Sequence, residues 1–207
     1  HLYCPVGGSK VMNEVAKRLG YSTPEHEPTV AVLHCNGTCE NAPDKVEYIG
    51  LQSCRLANRA FVGKTGCPNG CLRLGDCVRN CPFGAIEMDD QTGLPRVNPD
   101  KCTSCGACVR ICPRGLYEIR PRGKNGIMVY VACSNKQKGA TARKNCKAAC
   151  IACMKCTKIC PEVTVEENLS RIPPSVSAKL YGAELAAGCP TGAIVYTGAK
   201  GDKNEQN

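Results

Sequence analysis

Cys102-Thr103-Ser104-Cys105-Gly106-Ala107-Cys108-Val109-Arg110-Ile111-Cys112-Pro113 is the stretch that decides this chain, and Cys150, Cys153, Cys156, Cys160 and Pro161 repeat its spacing. Both runs read C-x2-C-x2-C-x3-C-P, a spacing that holds [4Fe–4S] cubes. The physical reason is local. Three thiolates on one tight turn grip three irons of a single cube. The fourth cysteine faces away, begins the next element and reaches a different cube. Proline directly after it costs nothing at a helix start, where its missing N–H has no intrahelical partner.

Working outward, four segments resemble one another: Cys81-Pro82-Phe83-Gly84-Ala85-Ile86, Cys112-Pro113-Arg114-Gly115-Leu116-Tyr117, Cys160-Pro161-Glu162-Val163-Thr164-Val165 and Cys189-Pro190-Thr191-Gly192-Ala193-Ile194. Each is Cys-Pro, a short turn, then apolar residues able to open a strand. An internal repeat on this scale reports architecture. The expected fold class is α+β: tandem ferredoxin-like modules of the 2[4Fe–4S] type, with short helices, β-hairpins and little regular secondary structure, preceded by a small α/β segment. The expected division is 1–63 (N-terminal segment), 64–122 (first unit, two cubes), 123–144 (connecting strand and basic linker), 145–198 (second unit, degenerate, one cube) and 199–207 (disordered tail). In the first segment Val11, Val15 and Leu19 have helical spacing, with Ser22-Thr23-Pro24 as a stop, and Thr29 to Cys35 reads as a buried strand. Gly126 to Cys133 is a further strand after the turn Gly123-Lys124-Asn125-Gly126.

The ligand pattern breaks in two places. Counting back from Cys81, a regular motif wants cysteines at 77, 74 and 71, but position 74 is Leu. Cys67 is the nearest replacement. The crossed connectivity then assigns Cys67, Cys71, Cys77 and Cys112 to one cube and Cys81, Cys102, Cys105 and Cys108 to another. Counting back from Cys189, the regular positions hold Leu185, Gly182 and Lys179. One cube is therefore expected there, on Cys150, Cys153, Cys156 and Cys189. Cys160 is left as a buried small hydrophobe. Cys133, Cys146 and Cys160 supply three thiolates, one short of a regular site, and Cys35, Cys39 and Cys54 stay unassigned.

The chain has 207 residues, 19 cysteines, two Phe and no Trp, so small modules built on cofactors fit better than one aromatic-rich core. The odd, crowded cysteines argue against a disulfide scaffold and for a reducing compartment. The formal charge of +9 counts cysteines as neutral. Three cubes, each about −2 with its thiolates, bring it to about +3, which removes most compositional support for nucleic-acid binding. No apolar run of about 18 residues occurs, so no membrane span is expected within this chain. His1, His26 and His34 lack zinc spacing, and no phosphate loop, nucleophile–base pair or carboxylate dyad is found, so no substrate-transforming site is expected. The basic run Lys136, Lys138, Arg143, Lys144 and Lys147 reads as a solvated face, or as a docking surface for an acidic carrier.

Beyond the cube motifs, the chain resembles the polyferredoxin electron-transfer component, the B-type subunit, of the Rnf-type ion-translocating ferredoxin:NAD oxidoreductase complex. The resemblance rests on Cys4-Pro5-Val6-Gly7-Gly8, His34-Cys35-Asn36-Gly37-Thr38, Gly70-Cys71-Leu72-Arg73-Leu74-Gly75-Asp76-Cys77, Val131-Ala132-Cys133-Ser134-Asn135 and Ala149-Cys150-Ile151-Ala152-Cys153. It implies an iron–sulfur electron-transfer subunit at the cytoplasmic face of the bacterial cell membrane. The implied donor is reduced ferredoxin, the implied partners are the other subunits of the membrane complex, and the coupled ion is sodium or a proton. It further implies Cys4 as the fourth ligand of an N-terminal cluster, one more cluster in a full-length protein, and a membrane helix ahead of His1. A polyferredoxin subunit of another membrane dehydrogenase or hydrogenase is the nearer alternative. A zinc-stabilised basic binding module is the distant one, since zinc modules use separated C-x2-C pairs.

Overall fold

The computed structural model describes residues 4, 7–22, 27–123 and 126–198. The expected tail at 199–207, together with His1, His26 and part of the 123–126 turn, lies outside the described residues. Helix α1 (Gly8–Leu19) stops at Gly20, two residues ahead of the expected stop. Gly20 takes a left-handed φ of 72° and its N–H caps the carbonyls of Ala16 and Lys17. The apolar stripe of α1 faces solvent, with Val11, Val15 and Leu19 all exposed.

Each of the four repeated Cys-Pro segments does open a strand. β2 (Ile86–Asp89), β4 (Tyr117–Pro121), β6 (Thr164–Glu166) and β8 (Ile194–Tyr196) each begin shortly after Cys81, Cys112, Cys160 and Cys189. β1 (Thr29–Leu33) pairs antiparallel with β4, Val30 opposite Arg120 and Leu33 opposite Tyr117. β2 forms a hairpin with β3 (Leu94–Val97). The same plan recurs downstream: β5 (Val129–Val131) pairs with β8, and β6 forms a hairpin with β7 (Leu169–Arg171). The strand closing each plan comes from outside the expected unit. β1 belongs to 1–63 and β5 to 123–144, because the apolar strand after the second Cys-Pro needs an edge partner that local sequence does not supply.

Short helices complete both plans. α3 (Asp76–Arg79) and α4 (Ala107–Ile111) serve the first; α6 (Lys155–Ile159) and α7 (Ala178–Gly188) serve the second. Each plan carries an insertion after its opening strand, holding α2 (Cys54–Ala60) in the first and α5 (Gly139–Asn145) in the second. The two halves are stitched together by buried polar contacts. Arg120, 4% exposed, donates to the Ile172 carbonyl at 2.8 Å. The Asn36 N–H donates to the Ala132 carbonyl at 2.8 Å, and Ser134 Oγ to the His34 carbonyl at 2.9 Å. His34 bridges the Val131 carbonyl and the Glu118 carboxylate, at 2.7 and 2.8 Å.

Candidate iron–sulfur centres

Three loops share one unusual backbone. In Cys102–Cys108 the left-handed residues are Ser104 (φ 59°) and Gly106 (φ 74°). In Cys150–Cys156 they are Ala152 (φ 53°) and Met154 (φ 59°). In Cys71–Cys77 they are Arg73 (φ 59°) and Gly75 (φ 74°). Left-handed non-glycine residues cost on the order of 1–3 kcal/mol each and persist where function over-determines the backbone. The Cys71 loop therefore has the conformation of a cube-binding loop, with Leu74 at the middle ligand position. The conformation also turns backbone N–H groups toward sulfur. The Arg73 N–H lies 3.4 Å from Cys71 Sγ, and the Ala152 N–H is directed at the Cys150 thiol.

Three cavities are lined by thiols and have the same small volume, about 20 Å³ each. The first is bounded by Cys150, Cys153, Cys156 and Cys189, the four residues expected together. Ser170 closes it from β7, its N–H 3.4 Å from Cys150 Sγ and its hydroxyl 3.2 Å from Cys156 Sγ. At Cys189, burial works to raise the thiol pKa, but the N–H groups of Thr191, Ile194 and Ala193 and the Thr191 hydroxyl outweigh it and hold it below the usual range.

The cavity beside the Cys71 loop brings together Cys71, Cys77 and Cys112, as expected, but its fourth thiol is Cys54 rather than Cys67. Cys54 opens α2, and the N–H groups of Leu74 and Asp76 point at its sulfur. Asp76, 7% exposed, fixes the arrangement: its Oδ2 accepts from Ser53 Oγ at 3.3 Å and from the Arg55 N–H at 3.1 Å. Tyr117 adds a hydroxyl 3.4 Å from Cys77 Sγ. No local spacing marks Cys54, which is why sequence counting missed it. Burial raises the thiol pKa of Cys54, Cys71 and Cys77.

Cys67 lies in the third cavity, with Cys35, Cys71, Cys133 and Cys146. Arg114 holds the intervening loop, donating to the Cys67 carbonyl at 3.1 Å and to Asn58 Oδ1 at 2.9 Å. The remaining expected set is also gathered. Cys108, its pKa pushed up to about 11 by burial, feels the Cys102 and Cys105 thiols. Cys81, Cys102 and Cys108 belong to one core cluster with Cys77 and Tyr117.

Other thiols sit apart. Cys160 is fully buried between α6 and α7, packed with Leu185, also fully buried. Where a further cube loop would stand, α7 runs unbroken, and a Cβ on Gly182 would collide with the Tyr196 ring. Cys39 is exposed. Cys4 is exposed too, its sulfur 3.4 Å from the Gly7 N–H. A larger hollow, lined by His34, Glu118, Arg120, Glu162 and Arg171, has Cys133 as its single thiol among the described residues. Among the described residues no three Cys, His, Asp or Glu converge tightly enough for a single metal ion. Zinc would need sulfurs about 2.3 Å from one centre. Four thiols spaced around a void suit a polynuclear cluster better. Among the described residues no helix is long and apolar enough to cross a membrane.

Comparison with known proteins agrees with this chemistry. The family of 4Fe-4S dicluster domains matches residues 65–116. The chain is 42% identical over 193 residues, 92% of its length, to the B-type subunit of the proton-translocating ferredoxin:NAD(+) oxidoreductase complex of Clostridium ljungdahlii, covering 66% of that protein. It is 42% identical to the B-type subunit of the Na(+)-translocating ferredoxin:NAD(+) oxidoreductase complex of Acetobacterium woodii, covering 56% of it. It is 36% identical to the B-type subunit of the ion-translocating oxidoreductase complex of Methanosarcina acetivorans, covering 71% of it. The chain thus spans less than two thirds of the length of the first two relatives. With that identity, the dicluster match and the thiol-lined cavities together, the chain belongs to the family of polyferredoxin B-type subunits of Rnf-type ion-translocating ferredoxin:NAD oxidoreductase complexes.

Proposed function

We propose that this chain is the iron–sulfur electron-transfer part of a membrane-bound, sodium- or proton-translocating ferredoxin:NAD oxidoreductase, passing single electrons from reduced ferredoxin toward the other subunits at the cytoplasmic face. The observation that carries the reading is the triplicated loop with left-handed residues two and four positions after its first cysteine. We read the repeated strand plan as tandem ferredoxin-like modules. The ligand sets are then Cys81, Cys102, Cys105 and Cys108; Cys54, Cys71, Cys77 and Cys112; and Cys150, Cys153, Cys156 and Cys189. In this reading Cys67 leaves the second set and Cys54 enters it.

A bound cube supplies a one-electron couple, with a potential between about −700 and +450 mV that depends on its surroundings. The chain's own residues set those surroundings. N–H groups of Arg73, Ala85 and Leu116 approach Cys71, Cys81 and Cys112 Sγ at 3.4, 3.3 and 3.5 Å. Such donors stabilise negative charge on sulfur and raise the potential. Leu72, Leu74 and Leu116, each 4% exposed or less, exclude water beside them. Anaerobic purification should give a brown protein with about four irons and four sulfides per cube and a one-electron EPR response to dithionite. A colourless protein carrying stoichiometric zinc would sink the reading in favour of a zinc module.

A further inference from the structure

We infer that Cys35, Cys67, Cys133 and Cys146 hold a further [4Fe–4S] cube, seated between the two repeats. The inference rests on the electron-transfer reading and extends it to a site that no sequence motif marks. These four cysteines are far apart in the chain, and each sits in a different segment: the turn after β1, the loop before the Cys71 run, the end of β5 and the end of α5. The fold nonetheless gathers them around one cavity of about 20 Å³, the same volume as each of the two neighbouring thiol-lined cavities.

The local backbone repeats the signature of the other sites. At Cys71, the N–H two residues on points at the sulfur. The same holds for Cys150 and Cys189. Three of the four gathered thiols share the feature. Asn135 donates to Cys133 Sγ at 3.5 Å, Gly37 N–H is directed at Cys35 and Ala148 N–H at Cys146. Cys67 instead receives the side-chain Nδ2 of Asn135 at 3.5 Å. Asn135 is 2% exposed, and its own Oδ1 is tied to the Gln137 N–H at 2.9 Å, which fixes the amide toward the sulfur. A buried amide donor aimed at a thiol is wasted on a neutral S–H and is well used by a thiolate. Cys160, by contrast, is fully buried and packed among apolar side chains.

Charge points the same way. A cube with four thiolates is about −2 and needs a nearby cation when buried. The Arg73 side chain, 7% exposed, lies beside Cys35 and Cys146, its Nη1 paired with Asp44 at 2.8 Å. Its Nη2 is anchored to the Gly37 and Ala42 carbonyls at 2.6 and 2.8 Å, while Nε has no protein acceptor. Arg114, on the opposite side, feels the Cys67 and Cys35 thiols as well as Cys71 and Cys112.

The position gives the site its use. The Cys71 N–H donates to Cys35 Sγ at 3.4 Å, so one wall is shared with the first repeat's cavity. The Cys150 N–H donates to Cys133 Sγ at 3.3 Å, so the opposite wall is shared with the second repeat's cavity. A cube here would join the two repeats into one continuous path.

The test is iron and acid-labile sulfide on the whole chain, prepared or reconstituted anaerobically, with zinc measured alongside. The expected content is about sixteen irons per chain against about twelve for three cubes. Cys133→Ser and Cys146→Ser should each remove about four irons and one EPR component while the signals of the other sites persist, and Cys160→Ser should remove none. A wild-type content near twelve, with or without one zinc, overturns the inference and leaves the electron-transfer reading standing. So does a content near sixteen that both variants leave unchanged. A chain with no iron at all defeats the electron-transfer reading itself. If a single variant unfolds, the wild-type count still decides.

Discussion

In the first repeat Leu74 stands where the middle ligand of a cube loop would be, and the chain keeps the loop, its left-handed residues and its N–H donors, drawing Cys54 in from α2 to meet them. In the second repeat Lys179, Gly182 and Leu185 stand at the three regular positions, and the loop itself is gone, replaced by the unbroken helix α7. Where one position lacks a cysteine, a cavity remains that a distant thiol lines. Where three lack it, Leu185 and Cys160 are packed as apolar core, and Tyr196 packs against Gly182. The two repeats differ in the loop backbone, kept beside the thiol-lined cavity of the first and replaced by α7 in the second.

The largest effect should come from the borrowed ligand. Cys54→Ala is expected to cost about four irons per chain, because a cube held by three thiolates is readily lost. The sharper variant is the double substitution Cys54→Ala with Leu74→Cys. Leu74 sits in a loop of the right conformation, so a cysteine there should restore the lost irons and the missing EPR component. Iron that survives Cys54→Ala, or a double variant that stays at the reduced content, would mean that the Cys71 loop does not imitate its two relatives.

A smaller effect is expected in the second repeat. Gly182→Ala drives a Cβ into the Tyr196 ring, an overpacking worth about 1–3 kcal/mol. Denaturant unfolding of the loaded protein measures it. The iron content should not change, because Cys150, Cys153, Cys156 and Cys189 lie in a different cavity. Cutting the ring back with Tyr196→Ala should shrink the glycine's penalty. Equal penalties in both backgrounds would show that Gly182 is not there to admit the ring.

Much of this was legible before the structure. Cys150, Cys153, Cys156 and Cys189 are gathered as the spacing requires, and Cys112 reaches the Cys71 cavity rather than the nearer loop. Those thiols are placed by local turns, and a turn is written in consecutive residues. Cys54, Cys35 and Cys133 were not legible, because they arrive through strand pairing and a helix start. The β1–β4 and β5–β8 pairings carry the segments around Cys35 and Cys133 into place across more than 60 residues. Counting back from Cys81 favoured Cys67 on proximity alone, although Arg114 and the Thr65 hydroxyl, 3.3 Å from the Cys67 N–H, turn that residue toward the other cavity. The loss at 179–185 was legible, but not its replacement by a packed helix, since the partner is Tyr196 beyond the last Cys-Pro.

The smallest effect concerns the surface, and it asks whether the insertions of the two repeats differ in use as well as in content. The first insertion carries α2 and contributes Cys54; the second carries α5, whose Ala142 is fully buried against Ala42, Cys146 and Ala148. On the outer side Lys138, Arg143, Lys144 and Lys147 are exposed. Lys136 is exposed as well but paired with Glu167, so it is partly committed to structure. An acidic ferredoxin approaching this face would be steered by the charges of Lys138, Arg143, Lys144 and Lys147. Such steering acts mainly on association rate and fades as salt shortens the Debye length to about 8 Å at physiological strength. Reversing Lys138, Arg143 and Lys144 together should slow ferredoxin-driven reduction by about tenfold at low salt and flatten its salt dependence, with iron content unchanged. A rate and salt slope that survive the reversal would leave these lysines and arginines as counter-charges to the cubes. Loss of iron instead would assign them to holding the insertion against Cys146.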